Sequence, residues 1–369
     1  MKVRPVRFQK ADRSFYFISI YLLSKKLIPL KNKITYFLCI SYFIFHISHF
    51  ISSAQDIHFS QYNSSPANLN PALTGMFDGD YRFVGNHRAQ WRSVTVPFNS
   101  SGGSFDMKNI FGLKNSGTGF SVYKDKAGDS QFSTLQINLA SAYHIPLTSE
   151  QNQYLSLGFQ GGYNQKNINY NSLSFNEQYQ GSYNPNATNG ESFPNNSLSY
   201  LNLNSGIYWN YYPKNRVNIS SGIALNNINK PKQSLFNNDE INLDRRLSFF
   251  GSGQFLLNEK MDVLPSFLIM GQGEFREIVV GASLKRYLNP VNGRATAIYL
   301  GGWVRTRDAG FVSVGMDYNN VNIGLSYDIN YSTLNTASNY RGAFEVSVIY
   351  IFKKFVPINT KYKACPSFI

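Results

Sequence analysis

The chain has 369 residues and a formal net charge of +14, yet only 15% of its residues are charged, while Tyr and Phe reach 25 and 29 copies. Two cysteines, Cys39 and Cys365, exclude a disulfide framework. The basic excess is concentrated at the start of the chain, which weakens a nucleic-acid reading.

Lys2, Arg4, Arg7, Lys10, Arg13, Lys25, Lys26, Lys31 and Lys33 form a long basic region, followed by a mostly apolar run from Ile34 to Ile51. Ser52-Ser53-Ala54 then offers small residues for cleavage, so residues 1–54 read as a signal peptide cut near Ala54, leaving Gln55 first. His46 and His49 interrupt the apolar run, against a retained membrane helix. The leader holds nine Lys or Arg and one Asp, so the remainder falls to +6. Cys39 departs with it, and Leu38 before that cysteine breaks a lipobox.

Residues 55–79 show no period, and Pro66 and Pro71 fix φ and remove donors. An ordered loop with one helical turn near Pro71 is expected, as a short periplasmic plug or linker. From about 80 onward a two-residue alternation takes over. Val321, Ile323, Leu325, Tyr327 and Ile329 alternate with Asn322, Gly324, Ser326 and Asp328; Leu155, Leu157 and Phe159 alternate with Ser156, Gly158 and Gln160. Successive strand side chains point to opposite faces, so each stretch has one apolar and one polar face. Such stretches fall near 80–91, 100–108, 117–124, 133–144, 153–164, 198–211, 216–226, 246–257, 261–271, 274–286, 294–305, 309–318, 321–330 and 341–352. After the leader no apolar run is long enough for a transmembrane helix. The expected fold is all-β: a transmembrane antiparallel up-and-down β-barrel of about fourteen strands over 80–352, with a periplasmic segment at 55–79 and a periplasmic tail at 353–369.

Two connections are long and rich in Asn, Ser and Pro, 165–197 and 227–245; on the pattern of outer-membrane barrels they belong outside the cell. The tight 271–274 turn falls at the same end and does not fit that pattern. Interior strand glycines such as Gly158, Gly206, Gly222 and Gly324 read as bending points for barrel closure.

Catalytic signals are weak. His58, His87 and His144 lack metal-ligand spacing, and no phosphate-binding loop is present, so no metal or cofactor is expected. His144 near Ser141 is the one close nucleophile pair, with no orienting acid. Asp328 and Glu345 lie on polar faces. Ionised groups are costly toward lipid, so these two should face the lumen and pair there with Arg276, Arg294, Arg305 or Arg307. A structural charge network and a selective pore are both compatible with that placement.

Gln55-Asp56-Ile57-His58-Phe59-Ser60-Gln61-Tyr62, followed by Asn68-Leu69-Asn70-Pro71-Ala72-Leu73-Thr74-Gly75, resembles the mature start of the PorP/SprF family. Asn86-His87-Arg88-Ala89-Gln90-Trp91 resembles its first-strand motif, and Ser326-Tyr327-Asp328 with Gly342-Ala343-Phe344-Glu345 its last-strand region. Phe344 departs from the His common there, and Ala89 departs within the first-strand motif; Cys365-Pro366-Ser367-Phe368 is a common ending. The resemblance implies a non-enzymatic, multi-pass outer-membrane barrel of Bacteroidota, working with type IX secretion and gliding motility. The implied partners are outer-membrane lipid, a secreted adhesin cargo, and the secretion ring or peptidoglycan-associated periplasmic proteins. No catalytic residue is carried over. Asp56, His58, Phe59, Gln61, Tyr62, Asn70, Pro71, Gly75, Arg88, Gln90 and Trp91 are expected as structural or docking positions. A channel for small solutes is the alternative.

Overall fold

The computed structural model describes residues 56–91, 96–179, 181–182, 184, 193–291, 294–332 and 339–354, the side chains of 111, 289–291, 294 and 295 excepted. The expected leader, its cleavage point and positions 355–369 of the expected tail, with Cys365, lie outside these residues.

Fourteen strands form: β1 (Tyr81–Gln90), β2 (Phe98–Lys108), β3 (Ser116–Ala127), β4 (Phe132–Pro146), β5 (Gln153–Asn167), β6 (Ser197–Lys214), β7 (Val217–Asn226), β8 (Arg246–Asn258), β9 (Met261–Gln272), β10 (Phe275–Val291), β11 (Arg294–Arg305), β12 (Ala309–Tyr318), β13 (Val321–Asn330) and β14 (Arg341–Phe352). Each pairs antiparallel with its chain neighbours, and β14 returns to β1 with Tyr81 opposite Phe352 and Arg88 opposite Glu345. The sheet is closed, so no strand edge is left with unpaired donors, which is what a sheet in lipid requires. All fourteen predicted stretches are strands. Among the described residues no helix is long and apolar enough to cross a membrane.

The alternation sorts the two faces as the sequence reads. On β13, Ile323, Leu325, Tyr327 and Ile329 are exposed, while Gly324, Ser326, Asp328 and Asn330 are buried. On β5, Leu157 and Phe159 face out and Ser156, Gln160 and Asn164 face in. The outer surface is thus an apolar belt and the lumen a polar one.

Connections leaving even-numbered strands are never longer than seven residues, whereas 168–196 and 227–245 leave β5 and β7. The barrel therefore has a short-turn end and a long-loop end. The two-residue turn between β9 and β10 sits with the long loops, held by Gly273 at φ +56°.

Residues 56–80 pass through the lumen. The backbone N–H of Asp56 donates to Gln272 Oε1 at 3.0 Å, at the long-loop end. Asp80 bonds Phe352 and Lys108 through its backbone at the short-turn end. Between them lie 3-10 turns at Tyr62–Ser64 and Pro71–Leu73 and one helical turn, α1 (Pro66–Leu69). Proline opens α1 and the second 3-10 turn, where its missing N–H costs nothing. Of the two expected forms, plug and linker, the segment takes the form of a plug.

Candidate functional site

The plug is held at three levels. At the long-loop end, Asn227 donates to Asp56 Oδ2 at 2.7 Å. Arg246 donates to the carbonyls of Ile57 and Asn68 at 3.4 and 3.2 Å. Halfway down, the buried Asn70 side chain donates to the carbonyls of Ile207 on β6 and Ile223 on β7, at 3.0 and 3.2 Å, and accepts from Ala72 N at 2.8 Å. At the short-turn end, Asp106 takes both Arg82 (2.9 and 2.7 Å) and the Gly75 N–H (2.7 Å), while Arg82 reaches Leu73 O at 3.0 Å.

The densest group surrounds Ser60. Its N–H donates to Glu345 Oε2 at 2.8 Å, and its hydroxyl donates to Asp328 Oδ2 at 2.8 Å. The same hydroxyl accepts from Arg88 and, at 2.7 Å, from Arg305. Arg88 also pairs Asp328 at 3.0 Å and Glu345 at 3.4 Å; Arg305 pairs Asp328 at 3.2 Å, Asp308 at 3.0 Å and Glu277 at 3.7 Å. His58 Nε2 lies 3.7 Å from Glu277, and Gln61 N donates to Glu345 Oε1 at 2.9 Å. Asp328 and Glu345 are 1% and 0% exposed, so each charge needs its partners in place. Arg88 and Glu345 sit opposite each other on β1 and β14, so this cluster spans the seam where the barrel closes.

Several strand glycines make room for the plug, Gly117 against Thr74 among them. A Cβ at Gly158 would stand 2.2 Å from Ala72 N, at Gly206 1.9 Å from Asn70 Oδ1, and at Gly324 2.4 Å from Gln61 Oε1; at Gly222 it would meet both Asn70 and the Phe250 ring. At these positions the structure shows close approach to the plug, a role the sequence reading did not assign. Gly158→Val should lift the plug at a cost of about 1–3 kcal/mol, because the obstructing atoms are backbone. Limited proteolysis of 56–76 reads this, with Gly161→Val as control, since a Cβ there meets nothing within 4 Å.

The predicted site residues distribute as follows. Asp56, His58, Phe59, Gln61, Tyr62, Asn70, Pro71 and Gly75 all lie in the plug and point at strand residues or at one another; Phe59 packs on Tyr123 at 6.1 Å. Asp56 lies at the long-loop end of the lumen and Gln61 near its middle. Arg88, expected as a structural or docking position, is the central cation of the charge cluster. Gln90 ends β1 and Trp91 (φ +56°) follows it, its ring meeting Phe98 edge-on at 4.8 Å.

Of the cations expected beside Asp328 and Glu345, only Arg305 is there. Arg276 is exposed and donates to the carbonyls of Gly273 and Phe275, and Arg307 is exposed in the β11–β12 turn. Arg294 opens β11 at the short-turn end, the opposite end from Asp328, and its side chain is outside the described residues. Arg276→Ala should leave stability within about 0.5 kcal/mol of the parent, read as the midpoint of heat-induced loss of barrel migration on gels.

Ser60, Arg82, Asp106, Arg246 and Glu277 escaped the sequence reading. Strand parity could have found Arg82, two positions along the inward face from Val84, and Asp106 is its direct cross-strand neighbour. His144 does not pair with Ser141, which faces out; it bonds Ser156 at 2.7 Å, facing the lumen beneath Gly75. Ser156 is fully buried, so this pair presents no accessible nucleophile. No group of His, Cys, Asp and Glu suited to a metal occurs among the described residues.

The profile of the family described as type IX secretion system membrane protein PorP/SprF matches residues 51–350. The chain belongs to the PorP/SprF family. That family, with a closed fourteen-strand barrel, makes it an outer-membrane barrel of the type IX secretion system. No curated protein matches this PorP/SprF chain in sequence. Solved barrels are similar to it at low identity. The toluene transporter TbuX of Ralstonia pickettii is 10% identical over 77% of this chain and 92% of its own, with a TM-score of 0.47. The CymD monoaromatic hydrocarbon channel is 10% identical over 82% and 95%, at 0.43. The KdgM porin, solved with disordered oligogalacturonate, is 7% identical over 73% and 99%, at 0.36. What those proteins carry does not pass to this PorP/SprF member.

Proposed function

We propose that this chain is a non-enzymatic outer-membrane scaffold that supports the export or surface attachment of a secreted adhesin, with the long-loop end outward and the short-turn end toward periplasmic partners. The observation that carries this reading is the plug. A segment pinned at three levels by buried hydrogen bonds and ion pairs leaves the barrel's surfaces, rather than a through-path, to do the work. A channel for small solutes is disfavoured for the same reason.

The long loops offer a surface suited to such a partner. Tyr170 stacks on Phe193 at 3.9 Å, and Phe193 meets Phe175 at 5.5 Å and Phe236 of the other long loop at 6.3 Å. Asn195 bonds Leu235 O and Asn237 Oδ1, tying the two loops together. Phe236 and Ile241 remain 58% and 48% exposed. Aromatic residues held on a rigid rim are typical anchors of recognition.

In a strain lacking this chain, protease shaving of intact cells should show loss of at least one large surface protein. Wild-type protein restores it, and a Tyr170→Ser, Phe236→Ser double variant restores it poorly at equal barrel abundance. An unchanged surface profile in the deletion strain overturns the reading.

A further inference from the structure

The plug fills the lumen unevenly. Against β6–β13 it leaves a cavity of about 370 Å³, within the range of small-molecule sites, which extends toward the short-turn end at Asn218, Gln254 and Asn322. The space exists because small residues, Ser252, Ser266, Ser283 and Ser313, stand on inward positions of β8, β9, β10 and β12.

One wall is a built aromatic platform. The Trp303 indole lies flat over Gly281 and Gly301, where a Cβ would fall 2.3 and 2.4 Å from ring atoms. Trp303 stacks on Phe311 at 5.2 Å and 9°, and its Nε1 donates to Ser266 Oγ at 3.1 Å. A second stacked pair, Tyr208 and Phe250 at 6.1 Å, lines the same space. The remaining lining is rich in hydroxyls and amides. The Tyr62 hydroxyl, on a residue only 5% exposed, stands beside the Ser266 and Asn63 side chains, and Asn218 beside the Tyr212 hydroxyl. Among the described residues the one charged side chain in the lining, Arg82, is already taken by Asp106 at 2.7 and 2.9 Å.

Each property narrows the ligand. A hydrocarbon would stack on the rings but leave the hydroxyls and amides unpaired, which is costly when they are desolvated. An ion would enter without a free countercharge. A molecule with apolar C–H faces and many hydroxyls satisfies both walls. We propose that this cavity binds a neutral saccharide, one ring face on the Trp303–Phe311 platform and its hydroxyls on the serine and amide wall.

The test uses the full chain purified in lauryldimethylamine oxide, so that no detergent sugar competes. Cellobiose and chitobiose are titrated while tryptophan emission and saturation-transfer NMR are followed; digalacturonate and toluene serve as comparison probes. The expected result is a saturable emission change and saturation transfer with a neutral disaccharide. Ser283→Phe, which fills the cavity, should weaken both by at least about tenfold. Silence of both disaccharides at millimolar concentration overturns the proposal, as does an equal response to toluene or digalacturonate. An undiminished response in Ser283→Phe that keeps heat-modifiable barrel migration overturns it as well. The wild-type selectivity stands as a test even where that variant does not fold.

Discussion

Deleting residues 56–76, with residues 1–55 kept, is expected to turn an electrically silent barrel into a steadily open pore in planar bilayers. The plug supplies the centre of the lumen: Tyr62, Leu69 and Ala72 belong to the same buried cluster as Tyr208, Phe250, Leu268, Met270, Val279 and Phe311. Its removal takes away Ser60, Gln61 and Asn70 with every bond they make to the wall. The barrel should survive. The carboxylates and guanidinia so uncovered would face water, which solvates them, and not lipid or vacuum. The fourteen-strand ladder is closed without the plug, since β1 pairs β14 directly. Wild-type protein should show no steady conductance under the same conditions. A wild-type barrel that conducts as well as the deletion would show that the plug does not seal the lumen, and the scaffold reading would lose its support.

The second large effect is at the seam. Arg88→Met should destabilise the barrel by about 3–5 kcal/mol, the usual penalty for leaving buried charge without its partner. Glu345 would keep only the N–H groups of Ser60 and Gln61, and Asp328 only Arg305 and the Ser60 hydroxyl. The loss falls where the first strand must meet the last, so the midpoint for heat-induced loss of barrel migration should drop sharply. Protease access to 56–62 should rise in parallel. Adding Glu345→Gln to Arg88→Met should recover part of the loss, because it removes the charge that was stranded. The two changes should couple by about 0.5–3 kcal/mol, as contacting residues do. If Arg88→Met alone stays within about 0.5 kcal/mol of the parent, the seam is held by backbone pairing and not by the cluster.

The effects of the plug glycines and of the surface arginines follow from the same geometry. Gly158 and Gly206 matter because plug backbone and the Asn70 amide sit on them, whereas Arg276, charged and on a strand, touches only its own turn. Residue type gives no hint of that difference, and position in the lumen decides it.

What the residues settle unaided is the barrel. A period of two is written locally, and each stretch such as 321–330 declares its lipid face and its lumen face without reference to any other. Fourteen stretches in series with short turns at one end leave an even, closed antiparallel ladder as the economical solution. The inward placement of Asp328 and Glu345 was legible for the same reason. Their partners were not. Arg88 and Glu345 are 257 positions apart in sequence and become neighbours only when β14 reaches β1. Ser60, which joins them, comes from a segment with no period at all. The path of that segment, from Gln272 at the long-loop end to Phe352 at the short-turn end, rests on contacts spread over nearly every strand. Strand periodicity is a property of ten consecutive residues; threading a closed cylinder is a property of the whole chain, and only the folded structure fixes it.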